Sequence, residues 1–353
     1  MKKAVKQAEG SRPADLAALA EIVERFAGKK IALFGDFVAD EFQFGEISRV
    51  SREAPVLILR HRATQVLPGG GANAANNLLA LGAKVAPVTV VGDDAAGAAL
   101  HAHFEKLGAT TGGIVTAKGW PTPTKTRFLA GWTHTVAQQV LRVDREPAGP
   151  PPERVLAKVS GKLTAVLRTA AAVAISDYGF GVVSPAQVRA ALRATKNGIL
   201  ATLDARYHLD AYADCGITAA TPNEAELEAL HHASIGRDLG QLARSGWSTL
   251  KKMGLQALLV TRGKDGMSLF ESAGKTLTHI PVHGSDQAVD VTGAGDTVLA
   301  AYTLAAACGA TPLEAGQIAN IAGGLVVMKR GTATVTREEL LAAIRAEVSG
   351  GGS

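Results

Sequence analysis

Residues 290–297 read Asp290-Val291-Thr292-Gly293-Ala294-Gly295-Asp296-Thr297, and an apolar run from Val298 to Ala307 follows at once. The order is a glycine-rich loop that opens a helix with a carboxylate in its first turn. Glycine lets a backbone approach a ligand closely. Amides at a helix N-terminus lack intrahelical partners and carry partial positive charge, so they favour an anion. Asp296 is placed to take a proton from a hydroxyl while the amides of Gly293, Ala294 and Gly295 hold the developing negative charge. Taken alone, the segment reads equally well as a turn and a helix-start acid worth about 0.3–1 kcal/mol to the helix dipole. The rest of the chain decides between the two.

Working outward, short apolar strands alternate with helix-length patterns. Ile31–Phe34 is a strand ending in Gly35-Asp36, Ala72–Leu81 a helix closed by Gly82, Val85–Val91 a strand, and Ala95–Leu107 a helix closed by Gly108. Strands follow at Ala171–Ile175, Ile199–Leu203 and Leu255–Val260, with helices at Pro185–Thr195, Asn223–Leu230 and Asp238–Met253. Such alternation predicts an α/β fold, a doubly wound and mainly parallel sheet with helices on both faces and ligands at the carboxyl ends of the strands. Two stretches break it. Phe42–Arg62 and Thr122–Asp144 are extended, with period-2 patches such as Val56-Leu57-Ile58-Leu59, and read as an inserted antiparallel β element, a lid or a subunit interface. Pro147 to Pro152 is a connector, and Ser349 to Ser353 has a flexible linker composition. The chain divides into a tail and leading helix over 1–29, the main body over 30–347 with β segments at about 42–62 and 122–144, and a Gly/Ser tail over 348–353.

Composition narrows the function. Hydrophobic residues make up 47% and charged residues 20%, enough to bury a sizeable core. The net charge of +5 comes from 37 basic residues, scattered rather than clustered, and 32 acidic ones. That balance suits a phosphorylated small molecule and gives no footprint for nucleic acid. Cys215 and Cys308 lie far apart with no CxxC spacing, which argues against a disulfide framework or a structural zinc site. Met1–Arg12 is polar and basic with no apolar stretch behind it, and no run reaches the ~20 apolar residues of a membrane span. A cytoplasmic protein is the simplest expectation.

Several segments together resemble one family, the ribokinase/PfkB carbohydrate kinases, over about Lys30 to Val335. They are Gly35-Asp36-x-x-x-Asp40, Gly69-Gly70-Gly71-Ala72-Asn73-x-Ala75-x-Asn77, Lys125-x-Arg127, Gln139 to Asp144, Ser176-Asp177-Tyr178, Thr221-Pro222-Asn223-x-x-Glu226, Thr261-Arg262, Gly266-Met267-Ser268, the 290–297 loop and Gly331 to Val335. Within the family, Ser48-Arg49-Val50-Ser51-x-Glu53-Ala54-Pro55 points to the D-glycero-β-D-manno-heptose 7-phosphate kinases.

The resemblance implies a ribokinase-like fold and phosphoryl transfer from ATP with Mg²⁺, where catalysis is mostly positioning plus charge neutralisation. Asp296 would be the general base, with Gly293, Ala294 and Gly295 as the anion hole. Asn223 and Glu226 match the motif that organises Mg²⁺ and its waters, and at i and i+3 they share a helix face. On the residues alone the pair also reads as a helix start with an N-cap Asn. Asp36, Asp40, Gly69, Gly70 and Asn73 are the expected sugar side, and Lys125, Arg127 and Arg142 the candidate phosphate ligands, since arginine's fork suits a phosphate. For each of these cations an ordinary surface charge stays open. Thr261, Gly263, Gly266 and Asn320 belong to the nucleotide side. Asp290 and Thr292 occupy the positions at which relatives bind a monovalent cation such as K⁺.

Three departures concern the sugar. Where heptose kinases carry Asp-Arg-Tyr, this chain has Asp40-Glu41-Phe42. Their Ser-Asp-Tyr-Ala-Lys-Gly becomes Ser176-Asp177-Tyr178-Gly179-Phe180-Gly181, and their Asp-Pro-Lys becomes Asp204-Ala205-Arg206. Gly131–Ala137 also reads as a small insertion. The expectation is an ATP-dependent sugar kinase acting at the anomeric hydroxyl of heptose 7-phosphate, as a homodimer joined through the lid. The rivals are a kinase for another sugar, sugar phosphate or nucleoside, and a non-catalytic nucleotide-binding regulator. The intact Asp296 loop argues against the last.

Overall fold

The computed structural model of the chain describes residues 15–131, 137–195, 198–284 and 288–350. It opens with α1 (Leu16–Glu24), β1 (Lys30–Gly35), β2 (Phe37–Val50), β3 (Leu57–Gly70), α2 (Gly71–Ala80), β4 (Lys84–Gly92), α3 (Ala95–Lys106) and β5 (Ile114–Ala117). There follow β6 (Thr124–Gly131), β7 (Gln138–Arg145), α4 (Glu153–Leu167), β8 (Ala172–Asp177), α5 (Pro185–Arg193) and β9 (Leu200–Ala205). The last third holds β10 (Ala219–Ala220), α6 (Glu224–His231), α7 (Leu239–Met253), β11 (Ala257–Thr261), β12 (Met267–Glu271), β13 (Thr276–Ile280), α8 (Ala294–Ala307), α9 (Pro312–Val326) and α10 (Arg337–Gly350).

Nine strands form the main sheet in the order β13-β12-β11-β10-β9-β8-β1-β4-β5. It is parallel from β5 through β11, and β12 and β13 close one edge as an antiparallel hairpin. One face packs on α1, α2, α3, α8, α9 and α10 through residues such as Leu19, Leu78, Phe104, Leu299, Ile318 and Leu340. The other packs on α4 to α7 through Val159, Val188, Leu227 and Leu242. The fold is therefore the doubly wound α/β sheet expected from the alternation. From Asp296 to Ala305 every residue of α8 is buried, which is why its sequence is apolar all round rather than amphipathic.

The chain runs outward from β1 to β4 and β5, then returns to β8 on the other side of β1. That reversal opens a crevice at the carboxyl ends of β1 and β8, where α/β sheets of this kind bind ligands. Asp36 follows β1 directly and Tyr178 follows β8, so both stand at its floor.

The two β insertions form a separate sheet ordered β3-β2-β6-β7. Its two hairpins, β2–β3 and β6–β7, are antiparallel, but β2 and β6 run parallel, so the expected all-antiparallel element is mixed. The cause is the connectivity. β2 and β6 both leave the same end of the main sheet, and each returns by its own hairpin. Register places Asp40 beside Lys125 and Lys125 beside Asp144, with Phe42, Arg127 and Arg142 in the next row on the same face. The sheet also exposes large apolar side chains, among them Val56 (56% exposed), Val140, Leu141 (55%) and Val143. The insertion expected at 131–137 falls mostly outside the described residues. At the other end α10 continues through Gly350, three residues into the stretch read as a flexible tail. Glycine and serine there extend a helix already nucleated by Leu340 and Ile344 in the core. Among the described residues no helix is long and apolar enough to cross a membrane.

Candidate active site

The loop before α8 turns through Gly293, whose φ of 79° is left-handed and where a Cβ would collide with the Asn73 side-chain amide. Only glycine fits without strain. The turn delivers Asp296 to the first turn of the helix, 3% exposed. Asn73 Nδ2 donates to Asp296 Oδ2 at 2.9 Å and the Tyr178 hydroxyl donates to Oδ1 at 3.0 Å. Behind Asn73, Asn77 Nδ2 donates to the Asn73 carbonyl and to its Oδ1, and Thr297 Oγ1 donates to Asn77 Oδ1. Burial pushes the Asp296 pKa up to about 7, against the stabilising bonds from Asn73 and Tyr178. A carboxylate poised there suits a general base.

Asn73, expected on the sugar side, is fully buried and spends its amide on this carboxylate. Of the three expected anion-hole amides, that of Ala294 turns back to the Val291 carbonyl at 3.3 Å. Gly293 and Gly295 line a cavity of about 560 Å³ together with Asp296, Asn223, Glu226, Asp204 and Thr221.

Asn223 caps α6. Its side chain accepts from the Glu226 amide at 2.8 Å, and Glu226 Oε2 accepts from the Asn223 amide at 2.9 Å, a capping box that rigidifies the pair. The capping reading holds, and the box leaves Asn223 Nδ2 and Glu226 Oε1 for the cavity. Asp204 lies across from them, its pKa driven well up by burial and by the charges of Glu226, Asp296 and Asp177. Burial raises Glu226 as well. Carboxyl groups crowded on one cavity raise one another's pKa, a penalty that a cation there would relieve, and the Thr221 hydroxyl is buried without a hydrogen-bond partner. Among the described residues no three side chains converge as a metal cluster, so a magnesium ion would keep most of its ligands from water and phosphates.

A second cavity of about 180 Å³ shares Thr261, Val291 and Gly295 with the first. Gly263, Gly266, Met267, Val298 and Asn320 complete it, a slot suited to a flat apolar ring. Asn320 donates to the Pro281 carbonyl at 2.8 Å, holding the 281–284 segment at its rim. Nearby, Asp290 accepts from the amides of Thr292 and Gly331, both at 2.9 Å, and despite burial these bonds keep its pKa low. The Thr332 hydroxyl beside Gly331 is buried and unpartnered. An oxygen-lined loop with a spare donor atom fits a monovalent cation.

A third cavity, about 400 Å³, adjoins the first through Tyr178, Arg206 and Tyr207. Lys125 and Arg142 line it from the four-stranded sheet, Arg206 from the end of β9, and residues 178–181 form one wall. Lys125 Nζ stands 5.7 Å above the Tyr178 ring, its pKa lowered by burial. Arg142 is held in a bidentate pair by Asp144 at 2.7 and 2.6 Å. Arg127 bonds to Asp40 Oδ1 at 2.5 Å, and Asp40 in turn lies over Gly69, where a Cβ would stand 2.6 Å from Oδ2. Gly70 caps α2 against the Tyr178 ring.

Asp36 takes a different place from its expected one. Its carboxylate accepts from the amides of Tyr178 (2.9 Å), Phe180 (3.0 Å) and Val182 (3.0 Å), so it holds the 178–182 loop rather than facing a sugar hydroxyl. Burial and then Asp177 raise its pKa to about 7. Sequence reasoning did not name Tyr207, and it met Tyr178, Asp204 and Arg206 only as parts of segments matched to the family, without a role for any of them. The strand-end rule names the end of β9 as a site position, but nothing in the residues alone says that β8 and β9 are neighbours.

The cleft has relatives. The chain is 36% identical to the bifunctional protein HldE of Paramagnetospirillum magneticum over 94% of its own length and 67% of that protein. It spans about two thirds of the length of the curated relatives it matches. Among solved structures it is similar to Arabidopsis thaliana ribokinase complexed with ribose and ATP, at 21% identity and a TM-score of 0.69, covering 90% of this chain and 99% of that one. Phosphofructokinase-2 from Escherichia coli in complex with potassium superposes with a TM-score of 0.71 at 18% identity and the same coverage. The pfkB family carbohydrate kinase model matches residues 29–339, nearly the whole described chain, and the protein belongs to that family.

Proposed function

We propose that this carbohydrate kinase moves the terminal phosphoryl group of ATP to the anomeric hydroxyl of D-glycero-D-manno-heptose 7-phosphate, giving the 1,7-bisphosphate, a step toward ADP-heptose. The observation that carries the reading is the position of Asp296 in a central cavity that shares residues with a cation-lined cavity on one side and a ring-sized slot on the other. Asp296 accepts the proton of the attacked hydroxyl. The amides of Gly293 and Gly295 receive the charge that develops on the transferring group. Thr261, Gly263, Gly266 and Asn320 hold the nucleotide, and Asn223, Glu226 and Asp204 face its phosphates. Mg²⁺ bound there with ATP would neutralise the phosphate oxygens. Asp290 and Thr292, with Thr332, hold a monovalent cation.

Lys125, Arg142 and Arg206 receive the sugar's own phosphate. Two cations of the heptose kinases are lost at Glu41 and Phe180, whereas Arg206 keeps a positive charge where they carry a lysine. The Ser48–Pro55 segment supports the heptose branch, as does the extended similarity to HldE proteins. Asp40, with Arg127, Gly69 and Gly70, shapes the sugar side of the cleft. The four-stranded sheet acts as a lid, and its outward apolar side chains pair with a second copy in a homodimer. A family member of this size with no membrane-spanning helix among its described residues fits the cytoplasm.

The test is ATP-dependent ADP release over a panel of sugars and sugar phosphates. Preference for heptose 7-phosphate over the unphosphorylated heptose by at least about 10-fold, the scale of one charge-assisted contact, is the expected result. Equal use of the two removes the phosphate subsite and leaves a sugar kinase of another specificity.

A further inference from the structure

Tyr178 bonds to Asp296 and lines both the central cavity and the cation-lined one, while no contact to ATP or sugar is assigned to it above. Three independent contacts fix it. Its amide is tied to Asp36 at 2.9 Å, its ring packs against Gly70 and lies beneath Lys125, and its hydroxyl reaches Asp296 Oδ1 at 3.0 Å. The opposite oxygen of Asp296 is held by Asn73. A carboxylate gripped at both oxygens cannot rotate about its χ2 axis, and each oxygen keeps a lone pair free. Asn73 is fully buried, whereas Asp296 lines the central cavity and Tyr178 lines both that cavity and the cation-lined one.

We propose that Tyr178 is a positioning residue for phosphoryl transfer, its hydroxyl fixing Asp296 so that Oδ1 is the oxygen offered to the acceptor hydroxyl. The inference rests on Asp296 being the base. The phenol stays protonated and therefore donates, because burial and the neighbouring charges of Asp296 and Asp204 drive its own pKa well up. The bond favours the ionised carboxylate. Other groups face Asp296 as well: Asp204 from β9, Asp40 from β2 and Lys125 from β6. Their charges act through space and do not orient the carboxylate.

The bond sets a sign. Loss of a donor to an ionised carboxylate raises its pKa, so the acid limb of kcat/KM, set by Asp296 titrating at about 7, moves to higher pH. In Tyr178→Phe the ring still fills its place beneath Lys125. We expect kcat to fall about 10–100-fold, the KM for ATP to hold within about 2-fold, and the acid limb to rise by about one pH unit. Site-specific 3-fluorotyrosine, a stronger donor, should move the limb the other way. A readout independent of substrate is the Asp296 carboxyl carbon in aspartate-labelled protein, assigned by its loss in Asp296→Asn and titrated in wild type and Tyr178→Phe. An unshifted Asp296 titration in Tyr178→Phe overturns the proposal, whatever the sugar proves to be. If instead Asp296→Asn retains full turnover, the base assignment itself has failed. That outcome is distinct from a dead Asp296→Asn beside a fully active, unshifted Tyr178→Phe, which sinks only the role of Tyr178.

Discussion

At the mouth of α8 each polar side chain ends on another buried protein group: Thr297 on Asn77, Asn77 on Asn73, Asn73 on Asp296, Tyr178 on Asp296. On the four-stranded sheet charged residues pair with one another, Asp40 with Arg127 and Arg142 with Asp144, while Lys125 lies over the Tyr178 ring, on strands whose apolar side chains meet solvent. The first arrangement is fixed before any ligand arrives. The second can trade its internal ion pairs for a bound anion and its exposed apolar face for a partner. A kinase needs both, because charge stabilisation demands preorganisation, whereas admitting a sugar demands an element that opens. The difference sets what each end should do under mutation.

The largest effect belongs to the fixed end. Asp296→Asn keeps the shape and the Tyr178 bond but removes the proton acceptor, so kcat should fall at least about 10²-fold, with ATP affinity nearly unchanged by calorimetry. Turnover close to wild type would erase the contrast between the two ends.

At the adaptable end the cations should differ in rank. Arg142 is already committed to Asp144 through two bonds, whereas Arg206 stacks against Tyr207, 5.8 Å from its ring centroid, and acts on Asp204 and Glu226 through space. Arg206→Ala should therefore raise the KM for the sugar phosphate about 10–100-fold, and Arg142→Ala less, with the KM for ATP unmoved in both. The reverse order in steady-state kinetics would show that Asp144 releases Arg142 on binding.

How much of this contrast the sequence reveals follows from the same physics. The α8 mouth is legible because the requirement for glycine at 293 and for a carboxylate in the first turn leaves few alternatives. The alternation of β and α fixes the sheet for a similar reason. Partnerships across the fold are not legible. Asn73 lies 223 residues from Asp296, and only their hydrogen bond reveals that it serves the base rather than the sugar. Asp36 looks the same in sequence whether it meets a hydroxyl or three amides. The parallel pairing of β2 with β6 is equally hidden, since period-2 patterning carries no strand direction. Tyr207 escapes because its place beside Tyr178 depends on β9 lying next to β8, whereas Arg206 is met only as the replacement of a lysine.

A smaller effect concerns assembly. Val56, Leu57, Leu59, Phe128, Val140 and Leu141 surround a hollow of about 480 Å³ on the outer face of the sheet. Leu141→Asp should shift the sedimentation profile from dimer to monomer while leaving the melting temperature within about 2–4 °C, because little of Leu141 is buried within the protomer. A wild-type protein that sediments as a monomer at tens of micromolar and is fully active refutes the lid-to-lid dimer.

The smallest effect tests where the two ends join. Gly179 sits in the wall of the sugar cavity at φ 82°, and a Cβ there would stand 3.0 Å from the Tyr207 ring. The glycine thus leaves room for the Tyr207 ring that an alanine would not. Gly179→Ala incurs two costs: a left-handed backbone, about 1–2 kcal/mol for an L-residue, and displacement of the Tyr207 ring. Only the second disappears when Tyr207 is shortened. In a double-mutant cycle, Gly179→Ala should destabilise the wild-type background more than the Tyr207→Ala background, by about 0.5–1 kcal/mol in urea unfolding. The KM for the sugar phosphate should rise a few-fold in Gly179→Ala, because the displaced ring no longer supports Arg206. Strict additivity would mean that Tyr207 yields freely. The wall of the sugar cavity would then be as adaptable as the lid above it, and the boundary between the fixed and the mobile end would lie at Tyr178 rather than at Gly179.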